Sequence, residues 1–321
     1  MEKTGLQLLG ESVCPYCGVG CRLRFEGGAE TSVAPPSVTK VRGVENAPAN
    51  LGRICAKGAQ LGPTIRTPDR LLHPQFRLSR HDGFKPIDWT TALAYVGECL
   101  TNILYTHGPE AVAFYGSGQL DTESAYVACK LFKGCIGSNN TDSNSRLCMA
   151  AAVAGYRASL GSDGPPGCYD DIELADVVLI IGSNMAEAHP VTFDRLKASK
   201  QSRPEQQIIV IDPRRTPTAE IADFYVPVAP GGDIALLNAI GRMLLMLGAL
   251  DSRFIEGDTR GFEDYQRFLM EQDLAELCET AGLEERTLFQ LARVLAGAKT
   301  WLSFYCMGLN QSTVGMWKNN S

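Results

Sequence analysis

Residues 177–190 read V-V-L-I-I-G-S-N-M-A-E-A-H-P. A short, continuous apolar run closed by glycine, with a proline opening a helix-period segment soon after, is the pattern of a strand buried on both faces and followed by a helix. The alternation recurs along the chain. Apolar runs lie at A-V-A-F-Y (111–115), I-I-V-I-D (208–212), F-Y-V-P-V (224–228) and W-L-S-F-Y (301–305), and helix-period segments at 121–135, 145–159, 190–200, 233–248, 261–270 and 284–297. Asp121, Pro190 and Asp233 supply helix-start signals. The class is therefore α/β with a mainly parallel sheet, whose ligands bind beyond the carboxyl ends of the strands.

The residues just after each strand are accordingly the candidate site. They are Gly116, Gly118 and Gln119; Gly182, Ser183, Asn184, Glu187 and His189; Asp212, Arg214, Arg215 and Thr216; the P-G-G-D run ending in Asp233; and Met307, Gly308 and Gln311. Singly, Gly and Asn are turn formers, Asp233 is a helix cap, His189 a structural histidine and the arginines solvated charge. Five such exits in one chain point to a large, extended ligand bearing nucleotide. It is not a nicotinamide bound in the Rossmann manner, because G-S-G-Q lacks the third glycine of G-x-G-x-x-G.

The first sixty or so residues are different in kind. Cys14, Cys17 and Cys21 fall within C-P-Y-C-G-V-G-C, and Cys55 follows in G-R-I-C-A-K-G. Three thiolates on one Gly-containing turn converge on a single centre, and the fourth completes it. Four cysteines hold either zinc or an iron–sulfur cluster. A clumped triplet with one remote partner favours [4Fe-4S], since zinc sites are usually two separated knuckles. The short β-capable runs 23–26 and 38–41 carry too little apolar surface to fold without such a staple. A Pro- and Arg-rich connector, 67–89, closes this unit.

Composition sets the outer bounds. The 321 residues are 45% hydrophobic and 21% charged, with a net charge of −6, which describes a globular protein with room for two cores and no basic run suited to nucleic acid. The N-terminus carries no export signal and no apolar segment reaches spanning length, so a cytoplasmic location with no membrane partner is expected. In that reducing compartment the eleven cysteines are ligands or small hydrophobes rather than disulfides. Cys99, Cys129, Cys135, Cys168, Cys278 and Cys306 are expected as buried small hydrophobes.

Cys148, in N-S-R-L-C-M-A-A-A, reads locally as a buried helix cysteine. Its place near a helix start, just after Asp142, Asn144 and Arg146, also suits a thiolate able to ligate a soft metal. With these residues in view, the chain resembles the catalytic subunit of molybdopterin oxidoreductases that bind a molybdenum bis(guanine dinucleotide) cofactor and a [4Fe-4S] cluster, and most of all the assimilatory nitrate reductases. The likeness is carried by the cysteine quartet with C-A-K-G, G-S-G-Q, N-S-R-L-C-M, S-D-G-P-P-G-C-Y-D-D-I, I-G-S-N-M-A-E-A-H-P, D-P-R-R-T, P-G-G-D-I-A-L-L-N and M-G-L-N-Q-S-T-V-G.

The resemblance implies that Cys14, Cys17, Cys21 and Cys55 hold the cluster, that Cys148 ligates molybdenum and that Lys57 lies between cluster and pterin as electron conduit. It implies dinucleotide contacts from Lys57, Gln119, Asn144, Gly182, Ser183, Asn184, Glu187, Asp212, Asp233, Met307 and Gln311, with Arg146 an electrostatic helper for an anionic substrate. The implied reaction is oxygen-atom transfer reducing nitrate to nitrite, with electrons from an NADH-dependent flavoprotein, ferredoxin or flavodoxin. Two alternatives stand beside it: a formate dehydrogenase, disfavoured because Met149 occupies the place of that group's histidine, and a molybdenum-free relay subunit.

The implied architecture is a cluster domain (1–66), a discontinuous Rossmann-like α/β domain begun at 67–140, an inserted α/β/α domain (141–298), and the start of a return to the first domain (299–321). Family members continue for more than as much again, including a C-terminal β-barrel. The chain is thus expected to be a truncated form, with exposed apolar surface where the remainder would pack.

Overall fold

The computed structural model describes residues 6–28, 37–65 and 67–320. The first five residues of the stretch read for an export signal and the domain-boundary residue Arg66 lie outside the described residues.

The centre of the molecule is a four-stranded parallel sheet in the order Phe224–Val226, Gln207–Ile211, Val177–Ile181, Trp301–Tyr305. Continuous apolar strands feed two helical layers because successive side chains alternate between faces. Val177, Leu179, Ile181, Ile209 and Ile211 pack under the helices Asp233–Met246, Leu274–Ala281 and Glu285–Gly297. Val178, Ile180, Ile208 and Val210 pack against Ile172, Met185, Phe193 and Leu196 on the other side, the last two from the helix Pro190–Ser202. Trp301–Tyr305 pairs with Val177–Ile181 over its whole length. Its Leu302 and Phe304 join the second layer and its Tyr305 the first.

The N-terminal unit is a three-stranded antiparallel sheet, Gln7–Val13, Arg22–Gly28 and Ser37–Gly43. The cysteine-bearing turn links its first two strands and is closed by the Cys14 amide donating to the Cys21 carbonyl at 2.8 Å.

Between these units the sequence reading needs correction at several places. Trp89–His107 is a helix, capped by the Asp88 carboxylate accepting from the Thr91 amide and stopped at Gly108 with φ 79°. The run at 111–115 forms a strand only at Phe114–Gly116, which pairs in parallel with the short polar strand Thr141–Ser143. The expected helix 145–159 is broken at Met149 into Ser145–Cys148 and Ala150–Leu160. The six cysteines expected as buried hydrophobes also divide: Cys278 is buried, Cys99 and Cys306 are half-buried, and Cys129, Cys135 and Cys168 are exposed.

Candidate functional site

The four N-terminal cysteines come together by local means. Asn50, fully buried, accepts from the Arg22 amide at 3.0 Å and donates to the carbonyls of Arg22 and Arg53, which ties the loop carrying Cys55 to the strand that follows Cys21. Cys55 then caps the short helix Ala56–Ala59, whose Gly58 backs onto the Cys14 sulfur. All four cysteines pack in one cluster with Val19, Leu23 and Ile54. Burial pushes the Cys21 thiol up to about 11, and the neighbouring Cys14, Cys17 and Cys55 add to the shift. Burial likewise raises Cys14, with Cys17 and Cys55 adding to it, while Lys57 pulls it down.

Cys21 is buried and the other three are half-buried; raised thiols such as Cys14 and Cys21 need a cationic centre to become thiolates, so the set fits a metal group. Among the described residues no three His, Cys, Asp or Glu side chains converge on a one-ion position.

The carboxyl ends of the sheet face this unit. A cavity of about 220 Å³ is lined by Gly18 and Val19 of the cysteine turn, by Ser183, Met185, His189 and Thr192 beyond the strand Val177–Ile181, and by Tyr169, Phe304 and Tyr305. The exits of the neighbouring strands Val177–Ile181 and Trp301–Tyr305 touch at glycine: Gly182 has φ +56°, and a Cβ on it or on Gly308 would collide with the other's backbone. The Gly308 amide donates to the Gly182 carbonyl at 3.1 Å. His189 is half-buried, and its pKa is lowered by burial first and by the Lys57 charge second. The Lys57 charge thus bears on both Cys14 and His189.

The expected dinucleotide residues are distributed as follows. Asn144 accepts from the Gly118 amide at 2.6 Å, binding the G-S-G-Q turn to the N-S-R-L-C-M segment. Gln119 reaches the Tyr16 carbonyl in the cysteine turn at 3.4 Å. Asn184 donates to Glu187 at 2.8 Å and accepts from Thr218 at 2.9 Å. Asp212 caps its own turn by accepting from the Arg214 amide at 2.9 Å. The nearby Thr216 hydroxyl is buried with no hydrogen-bond partner among the described residues. An orphaned buried donor at a strand exit fits a polar ligand still to be placed there. The Gln311 amide donates to the Met307 carbonyl at 3.0 Å.

Cys148 and Met307 meet, with Sγ 3.7 Å from Sδ, so two segments far apart in sequence place two soft sulfur atoms side by side. Arg146 is not brought to them. Its side chain is 70% exposed, pairs with Asp142 at 3.6 Å, and lines a separate trough of about 430 Å³ with Phe114, Asn139 and Thr141 at the edge of the two-stranded sheet. Asp233 is also engaged otherwise, in a buried ion pair with Lys318 at 2.6 Å. Sequence reasoning missed Tyr169, Asn50 and Lys318, whose partners lie far away along the chain. Tyr169 alone had a signal, its place in the G-P-P-G-C-Y-D-D-I motif.

Comparison with known proteins agrees with this arrangement. Residues 10–65 match the molybdopterin oxidoreductase Fe4S4 domain, which spans the whole cysteine quartet, and residues 70–315 match the molybdopterin oxidoreductase family. The chain is 41% identical to a nitrate reductase of Synechocystis sp. over 98% of its own length and 44% of that protein. It is 43% identical to a nitrate reductase of Klebsiella oxytoca (97% and 34%) and 38% identical to a periplasmic nitrate reductase of Desulfovibrio desulfuricans (97% and 41%). It therefore spans less than half the length of these relatives. Acetylene hydratase from Pelobacter acetylenicus shares the fold, with a TM-score of 0.82 at 23% identity over 96% of this chain and 42% of that one. From its cysteine quartet through to Gly315, the chain belongs to the molybdopterin oxidoreductase family.

Proposed function

We propose that this chain forms the cluster-bearing and part of the dinucleotide-binding portion of a nitrate reductase, reducing nitrate to nitrite with electrons delivered through a [4Fe-4S] cluster. The observation that carries the reading is the contact of Cys148 with Met307, which follows the strand Trp301–Tyr305. Cys14, Cys17, Cys21 and Cys55 would hold the cluster, and Cys148 would hold molybdenum. The bound molybdenum cofactor supplies the oxygen-atom transfer itself.

The chain's own residues bind and set the field. Lys57 places a positive charge between the two redox sites, which favours the electron-rich state on either side. The buried side chains Val19, Leu23, Val41 and Val191 that pack with the cysteines lower the local dielectric and strengthen that field. The Gly182–Gly308 contact holds two strand exits together, with Ser183 lining the cavity at one of them and Met307 meeting Cys148 at the other. The relatives named as nitrate reductases support nitrate as the substrate. The electron donor we propose is a separate flavoprotein, ferredoxin or flavodoxin.

Metal analysis of the anaerobically purified protein, beside its Cys148→Ser variant, tests the reading. About four iron atoms per chain are expected in both. Molybdenum, and nitrate reduction with a viologen donor, are expected in the parent alone. Iron without molybdenum in the parent would make the chain a relay, and oxidation of formate in place of nitrate reduction would make it a formate dehydrogenase.

A further inference from the structure

The G-P-P-G-C-Y-D-D-I motif stands apart from the residues that hold either cofactor, yet the fold sets it against the cysteine unit. The Tyr169 hydroxyl donates to the Val19 carbonyl at 3.0 Å, across 150 positions of sequence. Its ring joins the apolar cluster that surrounds all four cysteines and also lines the cavity shared with Ser183 and His189.

The base of this tyrosine is fixed. The Cys168 amide donates to the Asp171 carboxylate at 2.7 Å, so the turn before the helix Asp171–Leu174 is capped. Arg195, whose side chain is 4% exposed, grips the same segment through Asp170 and Glu173 at 2.7 and 2.6 Å. It also donates to the Pro48 carbonyl at 2.9 Å, a second hold on the cluster unit. The neighbouring clamp from Gln119 to the Tyr16 carbonyl is exposed and longer, at 3.4 Å. Tyr169 is thus a half-buried tie on the Cys17–Cys21 turn.

We propose that Tyr169 is a positioning residue for the iron–sulfur cluster: it seats the Cys17–Cys21 turn on the α/β sheet through its hydroxyl and, by turning that O–H dipole toward the turn, favours the reduced cluster. The proposal rests on the cluster assignment above. Outer-shell hydrogen bonds and solvent exposure are among the factors that set cluster potentials. The ring packs on the apolar cluster around the cysteines and the hydroxyl hydrogen faces the cysteine turn, so removing the hydroxyl alone removes a stabilising dipole while leaving the packing. One electron from dithionite, taking the cluster from its 2+ to its 1+ core, reads that change.

The test compares the anaerobically purified full protein with Tyr169→Phe and Arg195→Lys by redox titration followed by electron paramagnetic resonance, and by the rate of iron loss to a chelator. Tyr169→Phe is expected to keep the parent's iron content, to titrate at a more negative potential and to lose iron roughly tenfold faster, because a carbonyl in the buried turn loses its partner. Arg195→Lys, acting at Pro48 away from the cysteines, is expected to speed iron loss without moving the potential. An unchanged potential in Tyr169→Phe overturns the proposal. So does a Tyr169→Phe protein that binds no iron while Arg195→Lys shifts the potential, since the tie would then be general to the interface. A parent protein without iron would instead sink the cluster assignment itself.

Discussion

His189 is held neutral by its surroundings: burial disfavours its charged form, and the Lys57 ammonium adds to the effect. Unfolded, the imidazole takes up a proton near its ordinary value of about 6.5; folded, it does so only at lower pH. The unfolded chain therefore binds more protons between those two values, and the fold loses stability as pH falls from about 6.5 toward the folded value. Above that window the contribution is complete. The melting temperature, followed by circular dichroism, is expected to drop between pH 7.5 and 5.5, and His189→Gln is expected to flatten that slope. An equal slope in the variant would remove His189 as its cause. Cys21 belongs to the same residue-scale logic with opposite sign of charge: a thiol pushed up to about 11 becomes a useful thiolate only when a cation stands beside it.

At the scale of elements, the ion pair between Lys318 and Asp233 joins the last described helix, Gly315–Asn320, to the start of Asp233–Met246. The two side chains are 7% and 10% exposed, so neither charge can turn to water once its partner is gone. Lys318→Met is expected to cost about 3–5 kcal/mol by stranding the carboxylate, and the double variant Lys318→Met with Asp233→Leu to cost far less. Denaturant midpoints of the two single variants and the double variant measure this coupling; additive losses would mean that the charges are not paired in solution.

This pair was invisible in sequence, where Asp233 carried only a cap signal and a place in P-G-G-D. The strands Val177–Ile181 and Gln207–Ile211 were legible because continuous apolar runs admit one environment, and their exits followed from topology. Thr141–Ser143 was not, since T-D-S has neither apolar content nor alternation and becomes a strand only through Phe114–Gly116. Trp89–His107 was not among the expected helices, although Asp88 and Gly108 bound it, because its opening residue fell at the end of the 67–89 connector. The site was legible in its ligand types and partly in its geometry. Cys148 with Met307 and the quartet came together, whereas Arg146 turned to Asp142, a choice set by an i,i+4 spacing at an exposed surface.

For the whole molecule, packing is uneven along the chain. Val178, Ile180 and Ile208 through Ile211 are fully buried between two helical layers, while no residue of Trp89–His107 is buried and Trp89, Leu93 and Tyr105 are 61%, 65% and 93% exposed. The Phe114–Gly116 pair with Thr141–Ser143 is a parallel sheet of two strands, a type ordinarily covered on both faces and marginal at that size. Opening the central sheet means exposing both cores, so its amides exchange only through near-global unfolding; opening Trp89–His107 exposes almost nothing that is not already wet. Hydrogen exchange on the isolated 1–321 chain is expected to show amides of 178–181 and 208–211 protected at least about a hundredfold more than those of 92–105. An apolar dye should bind the isolated chain for the same reason, since contiguous exposed aromatic and aliphatic surface is a binding site for such probes. Equal protection in the two segments would show that Trp89–His107 is covered in solution, by self-association or by a packing of 67–140 different from this one, and would overturn the division of the molecule into a closed core and an open flank.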